Sequence, residues 1–221
     1  MEKTLEKSNK QAISKEKLQQ QYMEFVLLNE RTPTSVFAFA KGLKIKEDDF
    51  YVHYNSFRAL EGDIWKSWFE ETLDVLHNDK AYLPYTIREK LLAFYYTWLE
   101  IVKKNRSFVL LKFEAVSQKN LNPDFWKSLQ ASFFMHIQDL IMEGKDTGEI
   151  AERPWSKQYD KGFWMQFVYL TKYWTTDDSD GFQQTDALIE KSVNFSLDMI
   201  SRGAIDSFLD LAKFLYQQNK I

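Results

Sequence analysis

The chain has 221 residues, no cysteine, and 29 basic against 32 acidic side chains, which gives a net charge of −3. This length fits one well-buried domain, or a small module joined to a larger one. The absence of cysteine excludes disulfides and thiolate metal sites. The charge excludes a global basic field for nucleic acid, although a small basic face on one module would suffice for DNA binding.

Residues 1–13 are polar, and we expect them to form a disordered tail. They lack the apolar core of a signal peptide, and no run of about 18 apolar residues predicts a membrane span. These observations predict a cytoplasmic protein.

Three short helices are predicted over residues 14–56, which form the first domain. Ser14 is a candidate N-cap, and apolar residues then recur at spacings of three and four. Residues 32–34 are expected to form a break and the cap of a second helix. A turn follows at Lys44, and the third helix begins near Lys46. Three short helices with a tight turn between the last two indicate a helix-turn-helix module.

Residues 57–221 are predicted to form a larger, second domain of longer helices. The predicted helices run over about 57–77, from behind Pro84 to 104, and over 106–118, 123–144, 156–176, 182–201 and 204–218. Each of them carries an apolar stripe that needs a partner, and no stretch alternates as a β-strand does. The fold class predicted is therefore all-α, with a helical bundle behind the helix-turn-helix module.

The stretch TSVFAFAKGLKIKEDDFYVHYNSFRAL, residues 34–60, resembles the N-terminal domain of the tetracycline-repressor (TetR) family. Residues 39–41 (FAK) fall on that family's Ile-Ala-Lys-like element. Residues 50–54 (FYVHY) fall on its Gly-Thr-Phe-Tyr-x-His-Phe element. Ser56 and Leu60 then fall on the beginning of its fourth helix.

The resemblance implies a homodimeric transcription regulator. In that family the third helix enters the DNA major groove, and the C-terminal helices enclose a ligand cavity and form the dimer interface. An apolar or aromatic small molecule usually releases the operator. The stretch IMEGKDTGEIAE (141–152) is similar to the loop before the family's dimerisation helices, which correspond here to 156–176 and 182–201. The candidate DNA contacts are Thr34, Lys46, Asp49, Tyr51 and His53.

The third helix departs from the family pattern. Asp48 and Asp49 replace a Gly-Thr pair whose Thr often contacts DNA. Phe57 replaces a Lys that usually contacts phosphate, and Lys44 replaces the Gly of the turn. An ionised Asp repels phosphate, and the one base group that it can bind is the amino group of cytosine. Residues 14–57 carry six basic and six acidic side chains, so this module has no net charge to attract DNA.

Alternatives remain open for several of these residues. The acids of the third helix favour a helix N-terminus electrostatically, whatever their effect on DNA. Tyr51 and His53 match phosphate-contact positions of the family, but Tyr51 would equally pack at the module edge and His53 would equally be solvated. Phe50 and Tyr54 are predicted to be core residues that seat the third helix.

A ligand pocket is predicted among the ring-rich helices of the second domain, since such pockets are mostly apolar with a few polar groups. His136 either hydrogen-bonds a ligand there or is a satisfied core residue. The candidate pocket residues are Trp98, Phe113, Phe134, His136 and Tyr169.

Catalytic and metal chemistry is not expected. None of the three histidines has a second histidine at metal-ligand spacing. The sequence contains no GxSxG element, P-loop or dinucleotide-binding glycine pattern, so neither an enzyme nor a cofactor is predicted.

Three functions are consistent with the sequence. The first is a TetR-like homodimeric regulator whose DNA binding is modulated by an apolar ligand. The second is a TetR-shaped protein that binds a lipid or another hydrophobic ligand and has lost operator recognition. The third is a structural dimerisation partner whose rings are all core.

Overall fold

The computed structural model describes residues 13–114, 123–153 and 158–201. Within these ranges the chain forms nine α-helices and two short 3-10 turns, with no β-strand and a single antiparallel bridge from Ile150 to Ser201. The all-α prediction is confirmed. The predicted helix 204–218 lies outside the described residues, as does the end of the one predicted over 106–118.

The helices are α1 (Lys15–Asn29), α2 (Val36–Gly42), α3 (Glu47–Tyr51), α4 (Phe57–Asn78), α5 (Ile87–Lys103), α6 (Arg106–Glu114), α7 (Lys127–Thr147), α8 (Tyr159–Thr176) and α9 (Gln183–Ile200). The chain divides into two compact units after Ile64, inside α4. We call residues 13–64 the head unit and the described part of 65–201 the bundle unit. No helix of the described chain is both long and apolar enough to cross a membrane.

The caps of the first two helices follow their local sequence. Ser14 caps α1 as predicted, because its hydroxyl accepts the backbone N–H of Lys17 at 3.2 Å. The second cap was predicted within 32–34, which is wrong by one residue. Ser35 is the cap, and its hydroxyl accepts the N–H of Ala38 at 3.1 Å. An N-cap must directly precede the first helical residue, here Val36, to reach that donor.

The turn after α2 is closed by two backbone hydrogen bonds. Ile45 N–H donates to the Ala40 carbonyl at 3.1 Å, and Lys44 N–H donates to the Lys41 carbonyl at 3.2 Å. This pairing is a Schellman motif, which needs a left-handed residue after the helix. Lys44 fills that position with φ 58°, where glycine is usually favoured.

Aromatic rings form the core of the head unit. Phe57 is central, with its ring centroid 5.3 Å from Phe50, 5.4 Å from Phe39 and 5.7 Å from Tyr22. Phe50 and Tyr54 are buried, which confirms their predicted place in the core. The half-buried Phe57, which replaces the family's Lys, therefore packs its ring against the core of the head.

Two helices of the bundle unit begin later than predicted. The helix expected behind Pro84 begins at Ile87, because Thr86 and Glu89 form a reciprocal capping box. The helix expected from Pro123 begins at Lys127, after a 3-10 turn over Asp124–Trp126.

The loop between α7 and α8 is tied to the end of α9. Ala151 N–H donates to the Ile200 carbonyl at 3.0 Å, and Arg153 donates to the carbonyls of Met199 and Ser201, each at 2.9 Å. α7 also ends at Thr147, three residues beyond the predicted end at residue 144. These bonds hold the described part of the loop after α7 against the C-terminal end of α9.

Candidate functional site

The short helix α3 presents acidic and aromatic side chains. Asp49 is half-buried, and its carboxylate accepts the backbone N–H of Lys46 at 2.8 Å. It therefore stabilises the N-terminus of α3, as expected of an acid in a first helical turn. Asp48 is exposed and Tyr51 is 47% exposed. Asp48 is thus the acid of this helix with the clearest access to an approaching polyanion.

The other candidate DNA contacts of the head unit are two exposed residues and one half-buried histidine. Thr34 and Lys46 are exposed, with Thr34 just before α2 and Lys46 just before α3. His53 is half-buried, and its Nε2 donates to the backbone carbonyl of Ile13 at 2.9 Å. His53 thus connects the end of the helix-turn-helix segment to the segment before α1.

The head unit carries no net positive charge. Its described residues, 13–64, contain seven Lys or Arg and eight Asp or Glu side chains. One of the bases, Lys15, is already paired with Asp63 at 2.8 Å. Electrostatic attraction of DNA to this unit would depend on a local cluster of bases such as Lys44 and Lys46.

The predicted pocket residues do not converge on one cavity. Trp98 and Phe113 are each 1% exposed within the core of the bundle unit, where the Trp98 indole donates to the hydroxyl of Thr171 at 3.1 Å. Phe134 is half-buried with its ring centroid 6.2 Å from that of Trp164, and Tyr169 is 58% exposed on α8. Of the five, His136 alone lines the cavity described next.

A cavity of about 450 Å³ lies between α4, α5, α7 and the segment that connects α4 to α5. Its lining combines apolar, aromatic, acidic and basic side chains. These are Phe69, Glu70, Leu73, His77, Tyr82, Leu83, Lys90, Ser132, Met135, His136, Asp139, Leu140 and Glu143. We call it the α4–α5–α7 cavity, and its volume falls in the range of small-molecule sites.

Two buried side chains on the cavity wall each carry a polar atom that has no hydrogen-bond partner among the described residues. His136 is 7% exposed and Tyr82 is 4% exposed, and neither the His136 Nε2 nor the Tyr82 hydroxyl has a hydrogen-bond partner among the described residues. Buried polar atoms are normally paired, so each such atom calls for an explanation such as a bound ligand. The Nε2 of His136 thus keeps a hydrogen-bonding capacity that the described chain does not use.

The ionisation of these groups follows from burial. Desolvation lowers the pKa of His136 to about 4, with a smaller contribution from His77, so the imidazole is neutral at pH 7. Burial, and then the charge of Glu143, raises the pKa of the Tyr82 hydroxyl to about 12. Both groups are therefore neutral at physiological pH, and each can donate and accept a hydrogen bond.

The cavity's basic side chain is Lys90, which is 8% exposed. Its ammonium lies 2.5 Å from a Glu143 carboxylate oxygen and 5.6 Å from the centre of the Tyr82 ring. The pair is built from α5 and α7, so it joins two walls of the cavity. Among the described residues there is no cluster of three or more His, Asp or Glu side chains suited to a metal ion.

A second surface of the bundle unit exposes apolar side chains on α8 and α9. Met165 and Tyr169 are one turn apart on α8, and Phe195 and Met199 are one turn apart on α9, each between 47% and 66% exposed. Gln166 joins the two helices through hydrogen bonds with Ser192 at 3.0 Å and Ser196 at 3.1 Å. We call these four apolar residues the α8–α9 face.

The sequence interpretation missed most of the residues that line the cavity. Asp139 and Glu143 follow His136 on α7 at spacings of three and seven, so helical periodicity alone predicts that they share its face. Tyr82 and Lys90 come from a connecting segment and from α5, and their approach to His136 depends on tertiary packing.

Comparison with known proteins identifies relatives by sequence and by structure. Residues 90–215 match the family model for the tetracyclin repressor-like C-terminal domain. No protein of curated function matches the sequence. Three solved structures share the fold, each at low sequence identity.

The first is a putative TetR family transcription regulator from Shewanella sp. PV-4, with a TM-score of 0.62, 15% identity, and coverage of 86% of this chain and 98% of that one. A TetR transcriptional regulator from Nitrosomonas europaea has a TM-score of 0.55 at 10% identity. The match covers 82% of this chain and 96% of that one. A protein of unknown function from Rhodococcus sp. RHA1 has a TM-score of 0.57 at 10% identity. The match covers 89% of this chain and 100% of that one.

Proposed function

Because the chain belongs to the tetracycline-repressor-like family of transcription regulators, we propose that it is a homodimer whose binding to DNA is modulated by a small molecule in the α4–α5–α7 cavity. Such a regulator is not an enzyme, and it acts in the cytoplasm, where it meets DNA. Ligand binding is supported by two buried groups on the cavity wall, the His136 Nε2 and the Tyr82 hydroxyl, which have no hydrogen-bond partner among the described residues.

DNA binding is supported by the geometry of α2, its turn and α3. The Schellman motif at Lys44 and the capped start of α3 hold two short helices in a helix-turn-helix arrangement. In this proposal Thr34, Lys46 and Tyr51 contact the duplex, because all three are exposed. Asp49 and His53 support the shape of the head through their own hydrogen bonds.

Dimerisation is assigned to the α8–α9 face. The exposed rings and thioethers of this face are typical of a surface that is covered by a partner. A C2 dimer brings the same face of two copies together, so self-complementary apolar side chains are suited to it. In this proposal Tyr169 contacts the partner subunit and not the ligand.

A second candidate function is binding of a hydrophobic ligand without operator recognition. It is favoured by the exposed Asp48 at the start of α3 and by the excess of acids over bases in the head unit. Phosphate contacts supply most of the affinity for DNA and need positive charge, so these features weaken binding.

Selection from a random duplex library by the purified dimer, at low and moderate salt, separates the two functions. Enrichment of a two-fold-symmetric site is expected for a regulator. A dimer that enriches no sequence would refute operator recognition and favour the second function.

A charge reversal at Asp48 tests whether α3 meets the DNA. Asp48→Lys should tighten duplex binding severalfold and steepen the salt dependence by about one phosphate contact. Asp74→Lys makes the same charge change at an exposed position of the bundle unit and should leave the salt dependence unchanged. Equal effects of the two variants would show that α3 does not contact the DNA.

A further inference from the structure

The α4–α5–α7 cavity has an apolar floor and an acidic rim. Phe69 and Leu140 are buried in its wall, at 1% and 5% exposure. Asp139 and Glu70 are exposed, so their carboxylates lie where the cavity meets solvent. A ligand with an apolar body and one polar end fits this division.

The charges of the cavity lining decide which polar group a bound ligand can carry. The cavity lining contains three carboxylates, on Glu70, Asp139 and Glu143, against one lysine, Lys90. Glu70 is paired with Lys66 at 2.9 Å, so Asp139 is the carboxylate of the lining that is left to attract a charged ligand. The Lys90 ammonium is buried and lies 2.5 Å from Glu143, so its charge is already matched. An anionic ligand would have to compete with that pair and would meet Asp139, whereas a cation would gain a carboxylate partner.

The buried polar atoms favour a ligand that carries hydrogen-bond donors. His136 and Tyr82 are each more than nine-tenths buried on the cavity wall, and their Nε2 and hydroxyl atoms lack partners in the described chain. A neutral imidazole and a phenol can both accept from an N–H group. An amine supplies such donors together with the positive charge that the rim attracts.

We propose that the α4–α5–α7 cavity binds a protonated amine attached to an apolar or aromatic body. The body packs against Phe69 and Leu140, and the ammonium lies toward Asp139. This inference rests on the proposed function, in which the cavity is the effector site, and adds the chemical class of the effector.

Three anthracene probes of one size and different charge test the proposal with the full-length protein. They are 9-(aminomethyl)anthracene as the cation, 9-anthracenemethanol as the neutral isostere and 9-anthracenecarboxylate as the anion. Their binding is measured directly by fluorescence anisotropy at neutral pH, without DNA. The amine should bind at least about tenfold more tightly than the alcohol, and the carboxylate should bind most weakly.

A matched pair of variants on α7 tests whether the preference for the amine comes from the acidic rim of the cavity. Asp139→Asn should reduce the advantage of the amine over the alcohol by roughly threefold to tenfold and leave the affinity for the alcohol unchanged. Asp146→Asn alters an exposed acid of the same helix that does not line the cavity, and should leave both affinities unchanged.

The outcomes distinguish this inference from the function on which it rests. Alcohol or carboxylate binding as tight as that of the amine would overturn the preference for a cation and keep the cavity as a ligand site. No binding of any probe would contradict both. Amine binding that depends on Asp139, but does not alter binding to the selected duplex, would support the ligand class and contradict the regulatory role.

Discussion

The head unit and the bundle unit both have aromatic cores, but they differ in how the polar tips of their rings are satisfied. In the head, the hydroxyls of Tyr22 and Tyr54 each donate to a carboxylate at 2.7 Å. In the bundle, the buried hydroxyls of Tyr82 and Tyr95 and the Nε2 of His136 have no partner within the described residues. The tyrosine hydroxyls of the head are thus satisfied, whereas the bundle keeps unused hydrogen-bonding capacity, part of it on a cavity wall.

In the proposed function, this difference corresponds to two tasks, DNA binding by the head unit and ligand binding by the bundle unit. A unit that presents side chains to a rigid duplex benefits from a core whose ring hydroxyls are held, since satisfied networks specify one conformation. A unit that binds a small molecule benefits from polar groups that the ligand alone can satisfy, because they reject molecules that lack the matching groups.

The largest expected effect concerns His136 in the bundle unit. The unfolded chain takes up a proton near pH 6.5, whereas burial lowers the pKa of the folded imidazole to about 4. Stability is therefore complete above about pH 6.5 and falls as the pH is lowered toward 4, with a slope of up to about 1.4 kcal/mol per pH unit. His136→Leu should flatten this slope.

All seven tryptophans lie at or beyond residue 65, so their fluorescence during urea unfolding reports on the bundle unit. His53→Gln, a substitution in the head unit, serves as the control and should keep the slope of the bundle. A slope in His136→Leu equal to that of the wild type would show that other groups control acid unfolding.

A pair of Tyr→Phe substitutions tests the contrast between the units directly. Tyr22→Phe leaves the carboxylate of Glu61, which is 5% exposed, without its hydroxyl donor, and should cost about 1–3 kcal/mol. Tyr82→Phe removes a hydroxyl that has no partner and should change stability by less than about 0.5 kcal/mol. Urea unfolding followed by circular dichroism measures both, and equal costs would contradict the comparison.

A modest gain in stability, rather than a loss, is expected at the turn of the head unit. Lys44→Gly should stabilise the head by about 1 kcal/mol, because glycine tolerates the left-handed φ of 58° without the penalty of a Cβ. Hydrogen exchange of α2 and α3 measures the gain. An unchanged exchange rate would mean that contacts of the Lys44 side chain offset the backbone strain.

The helices could be predicted from the sequence because their signals are local. Ser14 caps α1, and Phe50 and Tyr54 are core residues, because cap chemistry and helical spacing depend on residues a few positions apart. The errors were at helix starts. Ser35 caps α2 in place of a residue within 32–34, and α5 and α7 begin later than predicted, at Ile87 and Lys127.

The candidate cavity was predicted only in part. His136 could be chosen as a polar residue in a ring-rich segment, but Trp98 and Phe113 follow the same pattern and lie in the core. Composition cannot distinguish a ring that lines a cavity from one that fills the core, since both are apolar and both are buried.

By itself, the sequence determined an all-α chain with a helix-turn-helix segment, an acidic third helix and a family resemblance, all of which depend on short-range order. The tertiary structure alone decided that Phe57 joins a ring cluster and that Tyr82 and Lys90 line a cavity with His136. The physical reason is that the cavity joins groups more than 50 residues apart in the chain, whose approach is set by the packing of whole helices.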